Sequence, residues 1–239
     1  GRVNLNGKKA TDLAAKIGGG DELAVDNKRL DKKSERYTVI VYHKPKGELV
    51  TRADPQGRKT IFQNLPLRFA RFIAVGRLDY ASEGLLLLTD DAKLAALLTT
   101  SDVERVYNVK IDGFVTPAIE KAMSEGLKLN SKAGAHPLND DDIGVLSAFA
   151  KWRVEKNHPR FSRLKIALNE GKNREIRRFF AHFGRETLDL KRVSVGEISL
   201  NALPVGQWRF CAKKEYQFLR RLSEPDKSAA KGRNSKIKV

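Results

Sequence analysis

The sequence predicts an α+β fold with a central, mostly antiparallel sheet flanked by helices. Segments of alternating or β-branched apolar residues are mixed with segments of helical periodicity, and they do not follow the regular strand–helix–strand order of parallel proteins. The composition is 41% hydrophobic with eleven Phe, which supplies a sizeable core and excludes wholesale disorder. A chain of 239 residues has room for one or two domains.

The N-terminal residues 1–33 are predicted to form a small strand-rich module and a linker. Apolar and polar residues alternate ahead of Asn6-Gly7, a dipeptide typical of a tight hairpin, and a short apolar segment at 23–25 follows three glycines. The charged stretch 28–36 is typical of a linker. The module is too small to hold a stable core alone. Because the chain does not begin with Met, we expect a truncation before its first residue.

A larger domain is predicted over residues 37–222, where the apolar segments become longer. Segments 37–42, 72–75 and 85–88 are rich in β-branched, aromatic or aliphatic residues and predict strands. The side-chain oxygens at 89–91 can cap a helix that continues to Leu98.

The middle of this domain contains a predicted strand and a predicted helix, followed by a segment without a clear secondary-structure pattern. Tyr107, Val109 and Ile111 fall on one face of a predicted strand, 105–111. Thr116-Pro117 begins a helix that Gly126 ends. Residues 128–160, which contain Gly134, Pro137 and Asp140-Asp141-Asp142, are interpreted as an insertion or a hairpin with loops.

The remaining predicted elements follow in order. Residues 164–168 alternate as a strand, Glu170-Gly171 forms a turn, and a helix runs from about Asn173 to Phe183. Two strands at 193–200 and 208–211 and a helix at 215–222 complete the domain. Residues 223–239 contain no aromatic residue and predict a disordered basic tail.

The predicted helix near Asn173 has two different faces. Apolar residues occupy one side, and arginines occupy the other: Ile176, Phe179, Phe180 and Phe183 against Arg174, Arg177, Arg178 and Arg185. A solvated surface face is the alternative interpretation, but such a face usually mixes charges and this one contains a single acid, Glu175. Guanidinium groups suit phosphate or carboxylate better than lysine does, so we expect one face to pack on the sheet and the other to form an arginine ridge.

The charge restricts the kind of partner. The chain carries 46 Lys and Arg against 29 Asp and Glu, a net charge of +17, whereas about 2 to 8 is enough for solubility. Nucleic acid is the first candidate because cations on phosphates release counterions; an anionic membrane surface and an acidic partner are the alternatives. No membrane span, signal peptide or zinc-binding Cys/His spacing is present. We expect a cytoplasmic protein without membrane, metal or cofactor.

Two residues, Asp79 and Tyr107, are candidates for a catalytic role, although the periodicity of the sequence does not single them out. Asp79 lies in a predicted loop between two strands, where catalytic groups often occur, although an Asp there is more often a turn or cap residue. Tyr107 is more often a core residue. Periodicity alone leaves both alternatives open.

Three blocks in order carry a specific resemblance. They are GRLDYASEGLLLLTDD from Gly76, RVYNVKIDG from Arg105 and LNEGKNREIRRFFAHFG from Leu168. Together they resemble the RsuA/RluB-type family of bacterial ribosomal RNA pseudouridine synthases, and weaker similarity extends over most of 37–222. The N-terminal module resembles the last part of a small RNA-binding domain shared with a ribosomal protein, without that domain's two helices.

The resemblance implies the pseudouridine synthase fold and a reaction in which uridine is detached from its sugar, turned and rejoined through carbon. It makes Asp79 the nucleophile, attacking either the sugar or the uracil ring. It implies that Arg177 forms an ion pair that keeps Asp79 ionised. Tyr107 is implied to lie against the flipped base and accept a sugar proton, with Leu168 on the base's other side.

Further residues are expected to bind substrate. The resemblance implies that Arg77 holds the RNA backbone while the nucleotide is flipped, and we expect contributions from Lys44, Arg105, Arg174 and Arg178. Four positions depart from the family pattern: Ser82, Asp91, Arg105 and Glu175. Of these, Glu175 stands where Gln is usual and could compete for Arg177; residues two apart on a helix point in different directions, so we expect weak competition.

The resulting hypothesis is a monomeric enzyme acting on ribosomal RNA or an assembly intermediate, with large-subunit RNA favoured over small-subunit RNA. One alternative is a non-catalytic RNA-binding or ribosome-assembly factor on the same fold. A second is a nuclease, which normally needs clustered carboxylates for metal ions; the one acidic cluster, at 140–142, lies outside the matched blocks.

Overall fold

The computed structural model describes residues 2–12, 21–26, 28–30, 37–129 and 144–223. These residues divide into two compact units with a boundary between Tyr37 and Thr38. The predicted acidic insertion at 140–142 and all but the first residue of the predicted tail lie outside the described residues. Among the helices described, none is long and apolar enough to cross a membrane.

The smaller unit contains a four-stranded sheet in the order β2-β1-β3-β4, formed by β1 (Val3–Leu5), β2 (Lys8–Lys9), β3 (Leu23–Val25) and β4 (Lys28–Leu30). The predicted hairpin at Asn6-Gly7 is confirmed, with φ angles of 52° and 76° that suit these two residues. The prediction of a linker from residue 28 is wrong over β4. Its charged residues form an edge strand, which tolerates charge because one side lies against water.

The larger unit contains eleven further strands and five helices within the described residues. The strands are β5 (Val39–Lys44), β6 (Ile73–Ala74), β7 (Glu83–Thr89), β8 (Arg105–Asp112), β9 (Leu127–Lys128), β10 (Val145–Leu146), β11 (Lys151–Lys156), β12 (Phe161–Leu168), β13 (Thr187–Val195), β14 (Ile198–Ser199) and β15 (Trp208–Phe210). The helices are α1 (Ile61–Asn64), α2 (Ala92–Thr100), α3 (Pro117–Glu125), α4 (Glu175–His182) and α5 (Lys213–Ser223).

One large sheet organises this unit, in the order β11-β12-β8-β13-β7-β5-β15, with β6 on β7 and β14 on β13. Its strand pairs are antiparallel except for β13 with β7. The predicted α+β class with a mostly antiparallel sheet is therefore confirmed. The parallel contact requires Gly84: its φ is 123°, and a Cβ there would lie 2.2 Å from the backbone oxygen of Arg192.

Several local predictions are confirmed at their caps. The Asp91 side chain accepts hydrogen bonds from the backbone N–H groups of Lys93 and Leu94 at the start of α2. Thr116 caps α3 and Gly126, with φ 88°, ends it. The alternation in β8 is also confirmed, because the side chains at 107, 109 and 111 are buried and their neighbours are less so.

One element prediction left its strands unplaced and another is wrong. The segment 128–160, interpreted as an insertion or a hairpin with loops, contains the six-residue strand β11, which pairs antiparallel with β12 at the edge of the large sheet; its charged side chains alternate with Trp152 and Val154. The strand placed at 193–200 is instead the end of the longer β13, a turn at Gly196 and the short β14. The apolar period alone did not locate this turn.

A large buried cluster lies on the face of the sheet that carries Tyr107 and Ile166, and the opposite face is also buried over β5 and β7. Helix α4 packs there through Phe179 and Phe180, both fully buried. Burial of this face anchors α4 beside the loop that joins β6 to β7. The fold thereby brings the three sequence blocks of the predicted site next to one another.

Candidate active site

A cleft of about 730 Å³ of empty space opens where the β6–β7 loop, β8, the end of β12 and the start of α4 meet. It contains six of the nine residues predicted to act on substrate: Arg77, Asp79, Arg105, Tyr107, Leu168 and Arg174. The other three, Lys44, Arg177 and Arg178, do not line it directly.

Asp79 lies at the centre of the loop. The loop turns at Gly76, whose φ is 68°, and closes through a hydrogen bond from the Ser82 N–H to the Asp79 backbone oxygen, 3.0 Å. The Asp79 side chain is 31% exposed, so its carboxylate is accessible from the cleft. The turn residues thus present the Asp79 carboxylate to the cavity.

Two arginines from the start of α4 lie against this carboxylate. Nε of Arg177 is 3.7 Å from Asp79 Oδ2, and Nη1 of Arg174 is 3.5 Å from the same oxygen. The Arg177 side chain is 12% exposed and that of Arg174 is 25% exposed. Two guanidinium groups therefore stabilise negative charge at Asp79 from the helix side.

Hydrogen bonds to the loop and to β13 fix the orientation of Arg177. Its Nη1 donates to the backbone oxygen of Thr187 at 3.1 Å, and its Nη2 donates to the backbone oxygen of Ala81 at 3.1 Å and to Ser82 Oγ at 3.3 Å. Within the described residues, its buried Nε has no hydrogen-bond acceptor and faces Asp79 instead. Burial lowers the pKa of Arg177 from its ordinary value, yet the group stays charged because that value is so high.

Lys44 lies beneath the loop rather than in the cleft. It is fully buried, and its Nζ donates to the backbone oxygens of Pro45, Asp79 and Ser82 at 2.9, 3.1 and 2.9 Å. Burial lowers its pKa to about 8. The expectation that Lys44 contacts substrate is therefore corrected: its ammonium binds the loop that carries the acid.

The arginine ridge also needs correction. Helix α4 begins at Glu175, and Arg178 is only 5% exposed, so it is not available on an open ridge for RNA. The helix is covered on more than one side, because Ala81, Ser82 and Thr187 accept hydrogen bonds from Arg177 on the side where an open ridge was expected. Of the four arginines, Arg174 reaches the cleft, from a left-handed backbone position with φ 48°.

Arg105 lines the cleft but is mostly buried. Its guanidinium donates to backbone oxygens that include those of Leu98, Val103 and Asn169, at 3.0, 3.1 and 2.9 Å. Burial lowers its pKa from the ordinary value. Its donors join the end of α2 to the end of β12, so it acts as a wall of the cleft.

The apolar walls come from the central strands. Tyr107 pairs with Ile166 of β12 and with Arg192 of β13, and its side chain lines the cleft together with Leu168. Arg77 is exposed at the entrance and also lines two neighbouring grooves with Arg174. The cavity therefore has an aromatic and aliphatic interior and a basic entrance.

Glu175 does not pair with Arg177. Its Oε2 accepts a hydrogen bond from the Lys172 N–H at 3.1 Å, which closes the turn before α4. The residue is 3% exposed, and burial raises its pKa to about 7. The expected weak competition is in agreement with this geometry, because the two side chains leave the helix in different directions.

Arg192 is a cleft residue that the sequence prediction missed. It is 4% exposed, lines the cavity and donates from Nε to the backbone oxygen of Leu85 at 2.7 Å. A charged residue at an inward position of a strand is the signal that could have identified it. Its contact holds β13 against β7 below the Asp79 loop.

The arrangement offers an accessible carboxylate, two guanidinium groups beside it and a planar aromatic wall. A carboxylate of this kind can act as a nucleophile whose aim is set by its neighbours. The aromatic wall suits a flat ring taken out of a stack. The basic entrance suits a phosphate backbone.

Comparisons with known proteins agree with this geometry. A family model described as RNA pseudouridylate synthase matches residues 38–182. A Helicobacter pylori protein named as an uncharacterized RNA pseudouridine synthase is 47% identical, over 92% of this chain and 84% of its own length. Proteins named ribosomal large subunit pseudouridine synthase B are 37% identical in Yersinia pestis (95% and 70% of the two chains) and 30% identical in Bacillus subtilis (96% and 89%).

A solved structure supports the fold independently. The crystal structure of a pseudouridylate synthase superposes with a TM-score of 0.62 at 23% sequence identity, over 91% of this chain and 88% of that one. Identity this low indicates a shared fold and says nothing about substrate.

Proposed function

The chain belongs to the RNA pseudouridylate synthase family, and from that premise we propose that it converts one uridine to pseudouridine in ribosomal RNA, with large-subunit RNA as the favoured substrate. Family membership confirms the sequence resemblance and makes the protein an RNA-modifying isomerase. The choice of ribosomal RNA is supported by the relatives from Yersinia pestis and Bacillus subtilis, whose names specify the large subunit. We place the reaction in the cytoplasm, with a monomer as the active form.

The observation that carries the proposal is the Asp79 carboxylate facing the cleft beside Arg177 and Arg174. Asp79 is the proposed nucleophile, and a covalent intermediate with it divides one difficult step into two. The bond between uracil N1 and the sugar breaks, the ring turns, and a bond from uracil C5 to the same sugar carbon forms; C5 loses its proton and N1 takes up a proton. The product has the same composition as the substrate.

The apolar walls have the proposed role of holding the flipped uracil. Tyr107 stacks on one face of the ring and Leu168 packs on the other, so that the detached base is retained while it turns. Tyr107 is also the proposed acceptor for a sugar proton. Both attack positions, sugar carbon and uracil ring, remain compatible with a carboxylate at this place.

The entrance has the proposed role of binding RNA backbone. Arg77 is exposed at the mouth and Arg174 lies between the mouth and Asp79. Their guanidinium groups can donate two hydrogen bonds each to phosphate oxygens. We propose that they hold the two phosphates beside the target nucleotide.

The test is pseudouridine formation by purified protein on a large-subunit ribosomal RNA transcript. We expect Asp79→Asn to abolish turnover, a loss on the order of 10³-fold or more, with RNA affinity almost unchanged. Glu125→Gln is the matched control, because it removes an exposed carboxylate on α3 far from the cleft lining.

Turnover retained by Asp79→Asn would contradict the nucleophile assignment. No pseudouridine formed by the unaltered protein on either large- or small-subunit RNA would favour the non-catalytic RNA-binding alternative. Pseudouridine formed only on the small-subunit transcript would correct the substrate while leaving the reaction in place.

A further inference from the structure

On the side opposite Tyr107, the large sheet is covered over β5 and β7, where Val41 and Leu87 are buried, but it carries exposed side chains over β8, β11 and β12. Because side chains alternate along a strand, the residues between the core positions of β8, β11 and β12 point away from the catalytic cleft. We define the outer basic face by five of these residues: Lys110, Arg153, Lys156, Arg163 and Lys165. Four of the five are exposed and Lys110 is half-buried.

These cations lie directly opposite one another across the strands. Arg153 pairs in register with Lys165, and Lys156 pairs with Arg163. Arg163 in turn pairs with Lys110 of β8, which faces the acid Asp189 of β13 on its other side. Like charges at opposed positions destabilise a sheet, so the fold retains an unfavourable arrangement on this face. A bound polyanion is the ligand that would reverse the repulsion.

Partial compensation comes from an aromatic ring and two ion pairs. The charged ends of Lys110, Lys156 and Arg163 lie 4.5, 4.8 and 5.6 Å from the ring centroid of Phe161. In the described ranges, Arg153 pairs with Glu155 at 2.8 Å. Nearby, Lys151 pairs with Glu104 at 2.7 Å. These pairs are highly exposed on their basic side, so an incoming phosphate can replace the carboxylates at low cost.

A groove of about 690 Å³ of empty space runs along one side of this face. Val106 and Ala167 form part of its floor, and its charged rim consists of three cations, Lys151, Arg153 and Lys165, and one acid, Glu104, which pairs with Lys151. An apolar floor between cations fits a nucleotide, since the base can lie on the floor while its phosphates meet the rim. An acidic protein segment would use the rim but not the floor.

We propose that the outer basic face is a second RNA-binding surface, which holds a part of the substrate RNA distant from the flipped uridine. The class of ligand rests on the proposed function, because the enzyme's substrate is RNA. Contacts here are to the phosphate backbone and tolerate any sequence. They increase affinity for long, structured RNA without taking part in the reaction.

The test compares two triple variants with equal charge. Arg153→Gln, Arg163→Gln and Lys165→Gln remove three cations from the outer basic face; Lys213→Gln, Lys214→Gln and Arg220→Gln remove three exposed cations from α5. Dissociation constants for a large-subunit ribosomal RNA transcript are measured over a series of salt concentrations, and thermal unfolding is measured for both variants.

For the outer-face variant we expect Kd to rise roughly tenfold or more and the slope of log Kd against log salt to become less steep by about 2 to 3. The α5 variant should change neither to a comparable extent. The unfolding temperature of the outer-face variant should stay equal or rise, since like-charge pairs are removed. If it falls instead, the three single substitutions replace the triple variant, each with an expected slope change of about 1.

Equal Kd and salt slope for the two variants would overturn the proposal and leave an acidic protein as the occupant of this face. RNA binding is measured without turnover, so a failure of this proposal can be distinguished from a failure of the proposed function. A protein that forms no pseudouridine but shows the expected change in salt slope would retain this surface and lose the enzymatic assignment.

Discussion

The Nζ atom of fully buried Lys44 lies 3.1 Å from the backbone oxygen of Asp79. The same ammonium donates to the backbone oxygen of Ser82, at the end of that loop, and to that of Pro45, the residue after Lys44, so one cation ties the acid's loop to the end of β5. We predict that Lys44→Met reduces kcat with little change in RNA affinity. It should also lower the free energy of unfolding by roughly 1–3 kcal/mol, because buried carbonyl oxygens lose their donor.

The wild-type pH profile tests this positioning role further. Since the pKa of Lys44 is lowered to about 8, the ammonium loses its proton above that pH and keeps two N–H groups for three acceptors. The wild-type kcat should fall above about pH 8, and this fall should be absent from the residual activity of Lys44→Met. Lys46→Met is the control: its Nζ pairs with Asp189 at the surface, where a single ion pair contributes about 0–1 kcal/mol. A pH profile shared by all three proteins would contradict the prediction.

Arg177→Lys tests whether geometry as well as charge matters beside Asp79. Lysine retains the positive charge but cannot reach Thr187, Ala81 and Ser82 with a forked group. We predict a loss in kcat on the order of 10²-fold, the effect of a misplaced catalytic group, with KM for RNA little changed. Single-turnover kinetics measure the chemical step directly.

Arg221→Lys provides the control, because Arg221 pairs with Glu197 on the exposed side of α5. It should leave kcat unaltered. A normal kcat for Arg177→Lys would show that a point charge near Asp79 is sufficient.

Local signals in the sequence predicted the elements that depend on local chemistry. The caps of α2 and α3 need particular side chains at particular positions, and Asp91, Thr116 and Gly126 occupy them. By contrast, β11 is an edge strand whose outward residues are charged, so its apolar signal is limited to Trp152 and Val154. Because an edge strand tolerates charged residues, the apolar pattern did not identify β11 as a strand.

Only the site residues that belong to recognised sequence motifs could be predicted correctly. Motif similarity indicated Asp79 and Arg177, and the structure brings them within 3.7 Å. The helical period could not show that the second face of α4 is covered, because it does not say what packs against a face. Hence Arg178 was expected on the surface and lies buried. The burial of Lys44 could not be predicted either, because it depends on contacts with Asp79 and Ser82, which lie far away in the sequence.

Glu175→Gln tests the energetic effect of a buried acid. Burial raises the pKa of Glu175 from 4.5 to about 7, and in the described residues its Oε1 has no hydrogen-bond partner. Between these two values the folded protein binds more protons than the unfolded chain, so this group's contribution to stability falls as pH rises. Above pH 7 the lost contribution reaches about 3 kcal/mol.

Glutamine keeps the acceptor for the Lys172 N–H but never ionises. We predict that the variant is as stable as the wild-type protein near pH 4.5 and more stable near pH 8, by up to about 3 kcal/mol. Urea unfolding at a series of pH values measures the difference. A difference that does not vary with pH would contradict the assigned titration.

Gly84→Ala tests the parallel contact between β7 and β13. The φ of Gly84 is 123°, and a Cβ there would meet the backbone oxygen of Arg192 at 2.2 Å. Because backbone cannot move aside as a flexible side chain can, β7 and β13 would have to separate beneath the Asp79 loop. We predict a loss of roughly 3 kcal/mol or more in unfolding free energy, the scale of severe overpacking, with a loss of turnover as the loop shifts.

Gly171→Ala is the matched control, since its Cβ would meet no atom within 4 Å. Thermal unfolding should show a clearly lower unfolding temperature for Gly84→Ala than for Gly171→Ala. Equal unfolding temperatures would mean that the sheet can accommodate a methyl group at this junction.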